Sequence, residues 1–113
     1  MQPDYIYKAR IVSVYDADTI RCDIDLGFGA WIMNQPLRLY GINAPEVRGA
    51  QRESGLMARD FLREYLEGAE VTIQTHKARP KGKYGRWLAV VYADDVNINE
   101  LLVSEGLATT YLQ

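Results

Sequence analysis

Residues Ile20 to Leu26 alternate without a fault: Ile20, Cys22, Ile24 and Leu26 fall on one side, Arg21, Asp23 and Asp25 on the other. Successive side chains of a strand point to opposite faces, so this period of two specifies a half-buried strand. Such a strand needs partners, and the flanking sequence supplies them. Residues 5 to 15, rich in β-branched and aromatic types, read as a preceding strand that ends at the turn composition Asp16-Ala17-Asp18. Gly27 and Gly29 bracket Phe28 as a turn or bulge, after which Ala30-Trp31-Ile32-Met33 returns as a hairpin partner. Asn34-Gln35-Pro36 reads as a second turn that delivers the chain into a strand from Leu37 to Ile42. The opening third of the chain is therefore a β-meander.

Beyond a polar loop, Val47 to Arg52, the period changes. Ala58, Phe61, Leu62, Tyr65 and Leu66 recur at helical spacing, with Ser54 read as the N-cap and Gly68 as the left-handed residue after the last turn. Val71, Ile73 and Thr75 alternate as another strand, and Trp87 to Tyr92 follow as the next, turned by Asp94-Asp95. Asn97 and Glu100 form a capping pattern for a short helix through Val103, closed by Gly106, and residues 107 to 112 read as a last short strand. About five strands with two short helices give an α+β, mainly β, barrel in one domain spanning residues 1–113.

Composition narrows the function. The apolar fraction of 48% and charged fraction of 25% are ordinary for a globular domain. A net charge of −2 is the wrong sign for binding nucleic acid by bulk electrostatics, so any such binding needs a local basic surface. That surface is present: Lys77, Arg79, Lys81, Lys83 and Arg86 place five positive charges in ten residues with no acid among them. A charge run is most often a solvated loop, but this one stands out in an otherwise acidic chain. The single cysteine, Cys22, excludes an internal disulfide and a cysteine-rich zinc site and reads as a small core hydrophobe. Trp31, Trp87 and Phe61 also read as core, and the lone His76 as an exposed residue at a strand end. No run reaches the ~18 apolar residues of a membrane span. The polar start lacks a signal-peptide core, which favours a cytoplasmic protein, or a secreted one had a leader been removed. A monomer is expected.

The stretch Arg38-Leu39-Tyr40-Gly41-Ile42-Asn43-Ala44-Pro45-Glu46 carries the chemistry. It puts an arginine and a glutamate at opposite ends of an apolar strand that stops at a proline, which has no N–H to extend a ladder. A guanidinium fork suits a phosphate, and a carboxylate suits an attacking water. Alone, the pair reads more readily as an edge strand with two solvated charges. Two further stretches, Asp16-Ala17-Asp18-Thr19 and Lys83-Tyr84-Gly85-Arg86, decide between these readings. In this order the three motifs resemble the staphylococcal nuclease (thermonuclease) family, with its D-G-D-T, R-x-x-x-x-D-x-P-E and K-Y-G-R. The similarity runs on through Leu88 to Asp94 and Asn99 to Ala108 and covers most of the chain.

The resemblance implies a five-stranded OB-fold barrel capped by helices, and a Ca²⁺-dependent hydrolysis of phosphodiester bonds in DNA or RNA. It implies that Arg38 and Arg86 hold the scissile phosphate and that Glu46 handles the attacking water. Lys83 and Tyr84 would contact a terminal phosphate, and Tyr111 would pack on a nucleobase. Asp18 would bind the metal directly, with Asn43 and the Ala44 carbonyl completing the set and Asp16 behind it. Asn43 replaces a family carboxylate and Ala44 a threonine; asparagine still offers a Ca²⁺ an oxygen, but one negative charge is lost, so weaker binding or another divalent ion is expected. Ala17 stands where the family has glycine and would be strained if that position required φ > 0. An EF-hand over Asp16 to Asp25 is excluded, since the loop lacks its glycine at the sixth position and glutamate at the twelfth. The same residues are compatible with an OB-fold nucleic-acid-binding module of weakened catalysis.

Overall fold

The computed structural model describes residues 5–75 and 86–111. Three long strands open it: β1 (Ile6–Asp16), β2 (Thr19–Gly27) and β3 (Ala30–Leu39). They form an antiparallel meander, with Ala9 opposite Ile24 and Ile24 opposite Ile32. The tight connection at Gly27-Phe28-Gly29 puts all three residues at positive φ, 84°, 58° and 76°, which the two glycines accept without a Cβ clash. Next come β4 (Ile42–Asn43), a 3₁₀ turn (Gly49–Gln51) and helix α1 (Arg52–Leu66). Strands β5 (Val71–Thr75), β6 (Trp87–Ala93) and β7 (Val96–Asn97), helix α2 (Ile98–Ser104) and β8 (Thr109–Thr110) complete the fold.

The sheet runs β3-β2-β1-β5-β6-β7, and β3 also pairs with β6, in parallel, through Leu37–Trp87, Arg38–Leu88 and Leu39–Ala89. That pairing closes a five-stranded barrel, an OB-fold with two helices. Its interior holds Ile20, Leu37, Leu39, Ile73 and Val91, with Leu62 of α1 and Ile98 and Leu102 of α2, all at most 1% exposed. Burial of this kind contributes about 1.5–3 kcal/mol per large side chain.

The periodicities translate directly at most places. Ile20, Cys22 and Ile24 are buried as the alternation requires, as are Ala58, Leu62 and Leu66 of α1. Gly68 takes φ +69° behind α1, Gly106 takes φ +72° behind α2, and the Asn97 side chain accepts a hydrogen bond from the Glu100 N–H at 3.0 Å. Phe61 and Trp87 pack against the core, half-buried.

Several expectations are corrected. Asn34-Gln35-Pro36 is not a turn: β3 continues through it, because Asn34 takes a left-handed φ of 53° as a bulge and its N–H is held by Asp23 Oδ1 at 2.8 Å. The ladder then resumes with Gln35 opposite Cys22. Nor do residues 37 to 42 form one strand: β3 stops at Leu39, the chain turns at Tyr40-Gly41 with Gly41 at φ +80°, and β4 pairs elsewhere, with β8. Ser54 is not the N-cap, since the 3₁₀ turn starts the helix earlier and Gln51 occupies the cap position. Leu26 and Trp31 lie on the surface, at 43% and 38% exposure, near the hairpin end beyond the closed barrel; the Arg10 guanidinium covers the Trp31 ring at 4.3 Å. Ala17 is fully buried and is not among the residues with positive φ, so it carries no backbone strain. His76 and the basic run to Lys83 lie outside the described residues.

Candidate active site

The turn between β1 and β2 is the centre of the site, and its two carboxylates are both buried. A buried carboxylate needs partners, and Asp18 has them from three segments. Its Oδ2 accepts from the Ala44 N–H at 2.7 Å and pairs with Arg38 Nη1 at 3.0 Å; its Oδ1 accepts from the Thr19 hydroxyl at 3.2 Å. The Asp18 and Arg38 side chains are only 9% and 12% exposed, so removing either partner would leave a poorly solvated charge. Asp16 sits behind, its Oδ1 accepting from the Asp18 N–H at 3.1 Å. Burial first, then the hydrogen bond and negative charge of Asp18, push the Asp16 carboxyl up to about 7.

Barrel closure delivers the cations. Thr19 lies opposite Arg38 in the β2–β3 ladder, and the β3–β6 pairing starts one residue after Arg86. Arg86 Nη1 accordingly donates to the Thr19 hydroxyl at 2.9 Å. Two arginines from separate segments thus meet at the Asp18-Thr19 turn. Arg38 Nη2 also donates to Asn43 Oδ1 at 3.3 Å, so Asp18 and Asn43 present oxygens to the same guanidinium.

Of the expected site residues, the structure brings together Asp18, Arg38, Asn43, Ala44 and Arg86, with Asp16 behind them. Tyr111 joins this group: its N–H donates to the Gly41 carbonyl at 2.8 Å, and its ring centre lies 6.0 Å from Arg38 Cζ. Glu46 is exposed, two residues beyond the Ala44–Asp18 bond, and its carboxylate forms no ion pair among the described residues. Lys83 and Tyr84 lie outside the described residues.

The donor set fits a hard cation in kind. Asp18 and Asn43 offer oxygens, both within reach of the one Arg38 guanidinium. Among the described residues no three His, Cys, Asp or Glu side chains converge, so this set carries little charge. Ala44 is tied to this set by its N–H, which donates to Asp18.

Two supporting residues are absent from the motif reading. Gly55, in the first turns of α1, is buried, and a Cβ there would overlap the backbone carbonyl of Glu46. Only glycine lets the helix pack that close, so Gly55 sets where the Glu46 loop lies. Asn99 is 4% exposed and joins three backbone groups: it accepts from the Val91 N–H at 3.1 Å and donates to the Tyr40 and Ala89 carbonyls at 2.8 and 3.2 Å. It thereby fixes the Tyr40-Gly41 turn that separates Arg38 from Asn43. A sequence signal for each exists, a glycine and an amide inside helical patterns, but neither indicates what it touches.

A closed OB-fold barrel with arginines and a carboxylate at its β1–β2 turn agrees with the sequence comparisons. The family model described as staphylococcal nuclease homologue matches residues 36–113, and the chain belongs to that family. It is 33% identical over 102 residues to a thermonuclease of Staphylococcus hyicus, covering 88% of this chain and 56% of that protein. It is 34% identical over 98 residues to a thermonuclease of Staphylococcus intermedius, covering 84% and 54%. An uncharacterised protein of Bacillus anthracis is 29% identical over 102 residues, covering 88% and 45%. The chain spans about half the length of these relatives.

Proposed function

We propose that this protein is a metal-dependent nuclease that hydrolyses phosphodiester bonds of DNA, RNA or both and leaves 3′-phosphates. The observation that carries the reading is the meeting of Arg38 and Arg86 at the Asp18-Thr19 turn, 3.0 and 2.9 Å from their partners there. A phosphodiester is an anion that gains charge on its equatorial oxygens as water attacks. Two planar cations aimed at one place bind those oxygens and stabilise the added charge more than the ground state. Glu46, whose backbone packs on Gly55 two residues after the Ala44–Asp18 bond, uses its exposed carboxylate to position the attacking water and accept its proton. The Tyr111 ring offers a face for a nucleobase. Asp18, Asn43 and the Ala44 carbonyl would hold a Ca²⁺ or another divalent ion, which when bound supplies positive charge to the phosphate and acidifies a bound water.

The test is digestion of single-stranded DNA with Ca²⁺, Mg²⁺, Mn²⁺ or EDTA, followed by end-group analysis. Ion-dependent cutting that leaves 3′-phosphates is expected, with losses of roughly 10²–10⁴-fold for Glu46→Gln. Equal rates for wild type, Arg38→Ala and Glu46→Gln would overturn the assignment. The low-charge donor set favours one rival, an OB-fold binding module of weakened catalysis, which would show affinity that survives EDTA and no product.

A further inference from the structure

Thr19 and Arg86 also border a cavity of about 540 Å³ whose other walls come from β1, β2, β3 and α1. Three arginines line it, Arg21, Arg63 and Arg86, and among the described residues no acidic one does, although the chain carries a net charge of −2. We propose that this cavity is a second phosphate subsite, which binds the phosphodiester next to the scissile one on the same single strand. The proposal rests on the nuclease reading for its substrate class.

Register sets the spacing. Thr19 lies opposite Arg38, and Arg21 lies opposite Pro36 and Ser13, so the catalytic row and the cavity row are separated by two residues along β2. Two residues of strand span roughly 7 Å, about one nucleotide step of an extended single strand. Side chains two apart share a face, so Thr19 and Arg21 point outward together, as do Pro36 and Arg38. Arg86 belongs to both rows through its bond to Thr19 at 2.9 Å.

Arg21 and Arg63 are aimed by backbone oxygens. Arg21 Nη1 donates to the Asn34 carbonyl at 3.0 Å, and Arg63 Nε and Nη2 donate to the Val14 carbonyl at 3.3 and 2.9 Å. Carbonyl partners orient a guanidinium and leave its full charge, and a guanidinium has five donors to share. Neither Arg21 nor Arg63 forms an ion pair among the described residues. A fourth arginine reaches the rim, where Arg48 Nη2 lies 2.9 Å from the hydroxyl of the exposed Tyr15. Oriented cations such as Arg21 and Arg63 in a concave site are what a backbone phosphate requires.

Arg21 is exposed and tests the proposal without touching the core. Cleavage and binding of a long single-stranded oligonucleotide and of a dinucleotide are compared for wild type, Arg21→Ala and Arg21→Glu across a salt series. Arg59→Ala, which removes the same charge at a residue that does not line the cavity and is ion-paired with Asp60 at 2.9 Å, is the control. Expected for Arg21→Ala is a drop of about tenfold in the ratio of kcat/KM between long and short substrates. The slope of log affinity against log salt for the long strand falls by about 0.7, the loss of one phosphate contact, while Arg59→Ala keeps it. Cutting with an unchanged ratio and slope in both Arg21 variants overturns the subsite and leaves the nuclease reading standing. Binding in EDTA whose salt slope falls in Arg21→Ala, with no cutting by any variant, supports the subsite and overturns the nuclease.

Discussion

The two ends of the β2–β3 ribbon contrast sharply. At the Thr19–Arg38 end the ribbon is part of a closed barrel, and Leu37 and Leu39 are fully buried beside ion-paired, hydrogen-bonded charges. At the Leu26–Met33 end the apolar residues Leu26, Phe28, Trp31, Ile32 and Met33 are exposed. The same two strands and the same alternation run through both. What differs is closure: β6 pairs with β3 only from Leu37 to Leu39, so just that end has an interior. Charge can be held in a low-dielectric setting there because packed neighbours exclude water and backbone groups supply partners.

The largest effect expected from that contrast is on stability. Leu37→Ala should cost about 2–5 kcal/mol in urea unfolding, since a fully buried side chain leaves a cavity at the closing strand pair. Ile32→Ala, five residues earlier on the same strand and 41% exposed, should cost under about 1 kcal/mol. Equal costs would mean that the outer end is packed as tightly as the inner one. A smaller effect is expected at the tip: Phe28→Ser, at a fully exposed position, should change stability by less than about 0.5 kcal/mol by the same measurement. The smallest concerns Cys22, whose thiol burial, helped by the Asp23 charge, pushes up to about 12. The native thiol should stay inert to alkylating reagents between pH 7 and 9 and react only on unfolding, as mass spectrometry would show. Because its folded value lies above the ordinary 9.0, its contribution to stability is complete below pH 9 and is lost as pH rises toward 12.

Much of the fold was legible because the relevant signals are local. A period of two set β2, a period of 3.6 set α1, and the Asn97 cap and the glycines after both helices fell where short-range chemistry put them. The boundaries that failed depend on distant partners. Asn34 reads as a turn residue and is one in φ, but Asp23 across the ladder holds it as a bulge within β3. Ser54 has the right chemistry for a cap, yet the preceding 3₁₀ turn takes the cap position to Gln51. Trp31 and Leu26 carry core-like side chains, and alternation cannot report that the barrel ends before it reaches them.

The candidate site divides in the same way. The sequence by itself determined the residue types and their order: Asp18, Arg38, Asn43, Glu46 and Arg86 are readable as motifs, and so is the departure at Asn43. Only the tertiary structure decided that Arg38 rests on Asp18, that Arg86 reaches Thr19, and that Ala44 offers Asp18 its N–H. It also decided that Gly55 holds the Glu46 loop and Asn99 the distant Tyr40 turn, and that Arg21 and Arg63 share a cavity with Arg86. The physical reason is range. Periodicity and capping act within a few residues, whereas ion pairs, close backbone approach and barrel closure join segments that meet only when the chain has folded.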